Sequence, residues 1–296
     1  MQNLEYSPFG ILDSVKMNPS FQHPDLVEPA GPIDPEVSFI AIKTLSDQPL
    51  AILANYSLHY VGRVASGAIS ADYFGAFGLS IAEYLGADTS SSPFVAMMSN
   101  GTSGDINNFN YGEARDDLPL YGDIAYVADD IAESIATAYT SLTFHNWVPL
   151  NAQTKDLTFA KRTPSAQELI NKDLIEANTG APLFHPSEKT YAIRLNSFMT
   201  RYPDNIPVTI QAFAIGDLAI GTAPFEIFAE TGLELKDLSS FDDTFIIGIG
   251  NGHWGYLPTP AQHKKGGYEA RITVSRVQKD ASETIVDELL TLFESM

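Results

Sequence analysis

Apolar positions along the chain alternate between two periods, and the switches between them mark the elements. "VSFIAIKT" and "LAILANYSL" are β-rich runs flanking "LSDQP", which predicts a hairpin. From Ser70 the apolar residues Phe74, Phe77, Ile81 and Leu85 fall at helical spacing, with Ser70 as the expected N-cap. "SPFVAMMS" reads as a short buried strand that runs into the turn-rich "NGTSGDINNFN", and "YGDIAYVADDIAESIATAYTSL" as a second amphipathic helix. In "TPSAQELINKDLIEA", Ser165 and Glu168 have the spacing of a capping box and predict a third helix.

The run "TYAIRLNSF" follows, and then "PVTIQAFAI" and "LAIGTA" pair across a hairpin turn at Gly216-Asp217. "PFEIFAETGLELK" predicts a helix entered at Pro224, since a proline in the first turn gives up no needed donor. "TFIIGIGN" and "EARITVSR" predict strands, and "ASETIVDELLTLF" a closing helix. Residues 1–35 are rich in Pro, Asn and Asp and predict irregular chain. Hairpins together with strand–helix alternation predict an α/β fold with mixed β-sheets and flanking helices. No repeat, low-complexity tract or long linker divides the chain, so residues 1–296 are expected to form a single domain.

Composition narrows the function. There are 37 acidic residues against 17 basic ones, a formal charge of −20, which disfavours nucleic acid as a partner. The absence of cysteine excludes disulfides, thiolate metal sites and cysteine nucleophiles. Any metal must be held by His, Asp, Glu or Tyr. No stretch reaches the roughly 20 apolar residues of a membrane helix. The start "MQNLEYSPFGILDSV" lacks the basic and apolar regions of a signal peptide, which leaves a cytoplasmic protein or a piece of a longer one.

The candidate chemistry lies where apolar runs stop: at His59, in the loop Asn100–Asn107, at Glu226, and in "NGHWGYLPT", which carries His253, Trp254 and Tyr256. Alone, each has a bland reading. His59 could cap its loop. Glu226 would sit inside a helix N-terminus, where the dipole favours a carboxylate. Tyr256 and Tyr268 could be ordinary half-buried tyrosines. "GTSGD" fails as a nucleophile elbow because Asp105 stands where the second glycine is needed, so Ser103 is not expected to be a nucleophile.

The segments "VEPAGPIDPEV", "NYSLHYVGRVASGAISADYFG", "MMSNGTSGDINN", "IGDLAIGTAPFEIFAETG" and "GNGHWGYLPTPAQHKKGGYEA" together resemble, in order and spacing, the neutral/alkaline (non-lysosomal) ceramidase catalytic domain and its bacterial relatives. The resemblance implies that fold and a zinc-dependent hydrolase cleaving the N-acyl (amide) bond of a ceramide-like or other acylated substrate. It implies His59, Glu226 and Tyr256 as zinc ligands and Tyr268 as the group that steadies the oxyanion. Asn107 stands where ceramidases proper have a serine, and with Asp105 it would shape the reacting pocket. The family's first zinc histidine lies in a "HTHSG"-like motif upstream of anything in this chain, and His23 does not match it. An N-terminally incomplete relative with one weakly held zinc, lacking also the C-terminal immunoglobulin-like domain, is therefore expected. The competing reading is an impaired relative that only binds an amphiphile or sugar in the same cleft. A small-molecule or lipid partner follows from either. Localisation and oligomeric state are left open, although relatives are often exported.

Overall fold

The computed structural model describes residues 5–24, 26–88, 90, 94–112 and 118–296. Two mixed sheets form its frame. The smaller has the order β3-β4-β5, with β3 (Ser38–Lys43) antiparallel to β4 (Pro49–Tyr56) and β4 parallel to β5 (Val95–Asn100). Two-residue strands β1 (Glu5–Tyr6) and β2 (Leu12–Asp13) precede it. The expected hairpin is thus present. Of the predicted strand "SPFVAMMS", residues 92 and 93 lie outside the described residues.

Helices α1 (Asp72–Tyr84) and α2 (Gly122–Tyr139) pack on this sheet. Tyr73, Phe77 and Ile81 of α1, with Ile124, Ile131 and Ile135 of α2, bury their side chains against Ile52 and Ala54. The helix begins one residue later than expected, with Ala71 and not Ser70 at the N-cap. The Ser70 hydroxyl accepts only the Asp72 amide (3.0 Å), and Asp72 turns its carboxylate back to the amides of Val61 and Gly62 (both 2.8 Å). Asp72 thereby ties the loop after His59 to α1.

The larger sheet has the order β10-β8-β7-β6. β7 (Asn205–Ile215) and β8 (Leu218–Ala223) form the expected hairpin, and Gly216 (φ +60°) supplies the left-handed turn conformation. β10 (Asp243–Gly248) runs parallel to β8. The edge strand β6 (Leu150–Ala160) pairs with β7 over its full length. It was not expected, because its outward face is polar (Thr154, Asp156, Thr158), its inward face carries Gln153 and Lys155, and Phe159 is its one fully buried side chain. Helix α7 (Ala281–Glu294) lays Ile285, Val286, Leu289 and Phe293 across this sheet. Asn55 of β4 donates to the Ile246 carbonyl of β10 (3.3 Å), joining the two sheets.

Helix α3 (Ala166–Ala177) has the reciprocal capping box that Ser165 and Glu168 predict. "TYAIRLNSF" lies in α4 (Glu188–Arg201), whose buried Tyr191, Ala192, Leu195 and Phe198 follow the helical period. These two helices, Phe9, Ile272 and Val274 form a third apolar cluster.

Two expectations are corrected. The segment from Pro224 does not open as a helix. Glu226 and Ile227 form the short strand β9, parallel to β11 (Tyr256–Leu257), and α5 (Ala229–Leu238) begins after it. The amide of Ala229 is taken by the Asp105 carboxylate (2.8 Å), a cap from 124 residues away that fixes the start of α5. "EARITVSR" is not a strand either. Its amides fold back locally, Val274 and Ser275 both donating to the Arg271 carbonyl (2.9 Å), and only isolated bridges at Ser275 and Val277 remain. The short helix α6 (Pro260–Lys265) precedes it, capped by Thr259.

Candidate functional site

β4 and β5 run parallel and end at the paired residues Tyr56 and Asn100. β8 and β10 run parallel and end at Ala223 and Gly248. The loops leaving these ends carry every candidate except Tyr268 and line one edge of the frame, the position where open α/β sheets place their ligands. The first two loops are laced together. Gly101 donates to Tyr56 O (2.9 Å), Thr102 N to Ser57 Oγ (3.0 Å) and His59 N to Ile106 O (3.3 Å). Gly104 then donates to Ile227 O (2.7 Å), and a Cβ there would lie 2.5 Å from Glu226 O. Only glycine lets this loop approach β9 so closely. At Gly255, φ is +88° and a Cβ would lie 2.0 Å from Val274 O, so the approach to β11 has the same requirement.

The structure brings His59, Glu226 and Tyr256 together. Nε2 of His59 is 3.1 Å from Tyr256 Oη and 3.4 Å from Glu226 Oε2. Its Nδ1 donates to the Ser103 carbonyl, which fixes the ring and leaves Nε2 facing the site. Glu226 and Tyr256 are direct register partners of the β9–β11 pair. The ring of Tyr256 is parallel to that of His59 (6°) and edge-on to that of Tyr268 (76°, centroids 6.0 Å).

A further group was noticed in the sequence without a role. His253 Nε2 lies 2.9 Å from Glu226 Oε1, so the carboxylate bridges two imidazoles. Its place three residues before Tyr256 was the only available signal. Burial favours the neutral form of Glu226, yet hydrogen bonds from His59, His253 and Tyr256 prevail and hold its carboxyl down at about 2. Burial acts against the charged form of His59 as well, and contact with Glu226 outweighs it, leaving the imidazole above its ordinary value. The Tyr256 and Tyr268 phenols are raised, chiefly by burial.

Among the described residues neither Asp105 nor Asn107 hydrogen-bonds to this trio. Burial lifts the Asp105 carboxyl to about 7 although the Ala229 amide opposes the shift. Asn107 donates to Asn18 Oδ1 and accepts from the Asn108 amide (2.8 Å). Glu269, which the sequence did not single out, faces the same cavity as both, its carboxyl also raised by burial. Ser103 is 2% exposed and turns its hydroxyl to Asn100 Oδ1 (3.0 Å), with only its carbonyl toward His59, in keeping with the failed elbow motif.

Two hollows meet at these residues. One, about 780 Å³, is lined by His59, Asp105, Asn107 and the apolar or aromatic Met17, Phe21, Tyr60 and Phe109. The other, about 430 Å³, is lined by Glu226, His253 and the outer face of α4. Tyr256 and Tyr268 belong to both.

The donor set can be tested against a zinc ion. Bonds of about 2.0–2.1 Å at tetrahedral angles would separate neighbouring donors by roughly 3.3–3.4 Å. The 3.1 and 3.4 Å separations around His59 Nε2 match that spacing, and the Ser103 carbonyl is the kind of partner that orients a ligating imidazole. Among the described residues no three His, Cys, Asp or Glu side chains are grouped to hold a metal. The third donor of this set is a phenol.

The architecture is that of the ceramidase catalytic domain. Two solved structures resemble it over 93% of this chain: one described as a ceramidase complexed with C2 (TM-score 0.63) and the neutral ceramidase of Pseudomonas aeruginosa (TM-score 0.59), each 16% identical in sequence. The chain spans about half the length of either, 50% and 49%. No protein-family model and no curated protein matches the sequence. Among the described residues no helix is long and apolar enough to cross a membrane.

Proposed function

We propose that this protein is a zinc-dependent hydrolase of the ceramidase-like kind that cleaves an amide (N-acyl) bond. The observation that carries this reading is the convergence of His59 Nε2, the Glu226 carboxylate and Tyr256 Oη at ligand spacing, at the junction of two hollows. In it, His59, Glu226 and Tyr256 hold the metal. Bound zinc supplies Lewis-acid polarisation of a carbonyl and activation of water. Ser103 keeps the ligating nitrogen of His59 aimed at the site. Tyr268, at the seam of the hollows, donates its phenolic hydrogen to the carbonyl oxygen as negative charge develops there. Asp105, whose carboxyl exchanges its proton near neutrality, faces the larger hollow as a proton acceptor, and Asn107 shapes the wall beside it. The substrate is a small acylated molecule or lipid.

Elemental analysis of the purified protein and of His59→Ala tests the metal. Near-stoichiometric zinc that disappears in the variant is expected, together with chelator-sensitive cleavage of a fluorogenic N-acyl amide. A metal-free wild type, or amphiphile binding that survives chelation without turnover, would replace this reading with that of a binding protein.

A further inference from the structure

The smaller hollow has a charge opposite to that of the molecule. Arg194, Arg201 and Arg276 all line it, in a chain with only 17 basic residues against 37 acidic ones. The one carboxylate among its lining residues is Glu226, which His59 and His253 already occupy. Arg194 and Arg201 lie seven residues apart on α4, two turns along one face. Among the described residues none of the three arginines forms an ion pair. The Arg276 guanidinium lies over the Tyr202 ring (5.3 Å) and donates to the His253 carbonyl (3.3 Å), and that of Arg194 lies over Tyr191 (5.2 Å). Such contacts hold a guanidinium in place without neutralising it.

We infer that the substrate carries an anionic oxygen group, a carboxylate, sulfate or phosphate, on its amine side, and that these arginines receive it. The placement rests on the hydrolase reading of the adjoining site. The acyl chain occupies the larger, aromatic hollow, the amide lies at Tyr256 and Tyr268, and the anionic end enters the arginine hollow. Planar guanidinium forks match such oxygens in pairs, and a molecule of net charge −20 would otherwise repel the ligand.

The test is calorimetric binding of two matched probes, N-dodecanoylglycine and the uncharged N-dodecanoylglycinamide. They are compared on the wild type, with and without chelator, and on Arg194→Gln/Arg201→Gln. Both replaced positions are exposed on α4, and circular dichroism verifies the variant's fold. The wild type should prefer the carboxylate probe on the order of tenfold at low salt. That preference should approach unity in the double variant and shrink as salt rises. Competition by inorganic phosphate would assign the site to a phosphorylated substrate, and its failure to compete to a carboxylate, both within the inference. Equal affinity for the two probes, binding of neither, or a preference untouched by the double variant would overturn it. Tight binding of the glycinate without any cleavage would sustain the arginine site and remove the hydrolase reading.

Discussion

Asp105 and His263 make opposite demands on pH. Burial lifts the Asp105 carboxyl from 3.8 to about 7, with Glu230 and Glu269 nearby and the Ala229 amide resisting. The unfolded chain releases that proton near pH 4 and the folded chain near 7, so stability falls as pH rises through this window and levels above it. Asp105→Asn keeps an acceptor for the Ala229 amide and does not titrate. Its stability relative to wild type should therefore improve from pH 4.5 to 8, by at most roughly 4 kcal/mol. Urea midpoints at the two pH values check this, and an unchanged difference would mean the carboxyl is solvated. His263 is buried, and burial with Arg162 and Lys279 close by pushes its imidazole down to about 3. Here the unfolded chain takes up the proton first, below about 6.5, so stability is full above that value and drains away as pH falls towards 3. His263→Gln should lose less stability on acidification than wild type, read by the same midpoints. Neither effect was legible in the sequence, because both residue types are ordinarily exposed and only the tertiary surroundings decide their burial.

Elements were legible where the chain's own neighbours determine them. The capping box of α3 and the Gly216-Asp217 hairpin depend on contacts within a few residues, and both form as read. Where a distant group intervenes, the sequence misleads. Pro224 is a sound first-turn residue, yet pairing of Glu226 with Tyr256 makes that stretch a strand, and Asp105 sets the helix start five residues beyond the proline. This difference also changes the account of Glu226, whose carboxylate is held by two imidazoles and a phenol in place of a helix dipole. The close fit of the Gly104 loop to β9 makes a prediction of its own. A methyl group 2.5 Å from Glu226 O cannot be absorbed by side-chain movement. Gly104→Ala should cost about 1–3 kcal/mol of stability, by the usual scale of overpacking. On the proposed zinc reading it should also weaken retention of the metal, since the backbone that carries Glu226 must move. Thermal melts and metal titration together check it; full zinc affinity at reduced stability would show that the loop does not set the ligand's position.

Among the described residues three apolar clusters hold the fold together: one beneath each sheet and one around α3 and α4. The Asn55–Ile246 bond and the laced loops join the first two, and Phe9 at the chain's start enters the third, where Asn171 donates to its carbonyl (2.6 Å). We propose on this basis that residues 1–296 unfold as one unit, which calorimetry would show as a single transition with equal calorimetric and van't Hoff enthalpies. The residues expected at the site lie in four separated segments, and the parallel ends of two sheets position all of them but Tyr268. His253 was noticed in its loop but given no role, because its contact with Glu226 is tertiary, and Glu269 escaped because no local pattern distinguishes it from a surface residue. The two-residue pairing of β9 with β11 has a last consequence. Because successive side chains of a strand point to opposite faces, sliding this short rung by one position would set Gly255 or Leu257 opposite Glu226. Gly255 apart, the turn from Asn251 to Gly255 therefore tolerates changes of spelling by degrees but changes of length hardly at all: one codon gained or lost there would abolish the site in a single step.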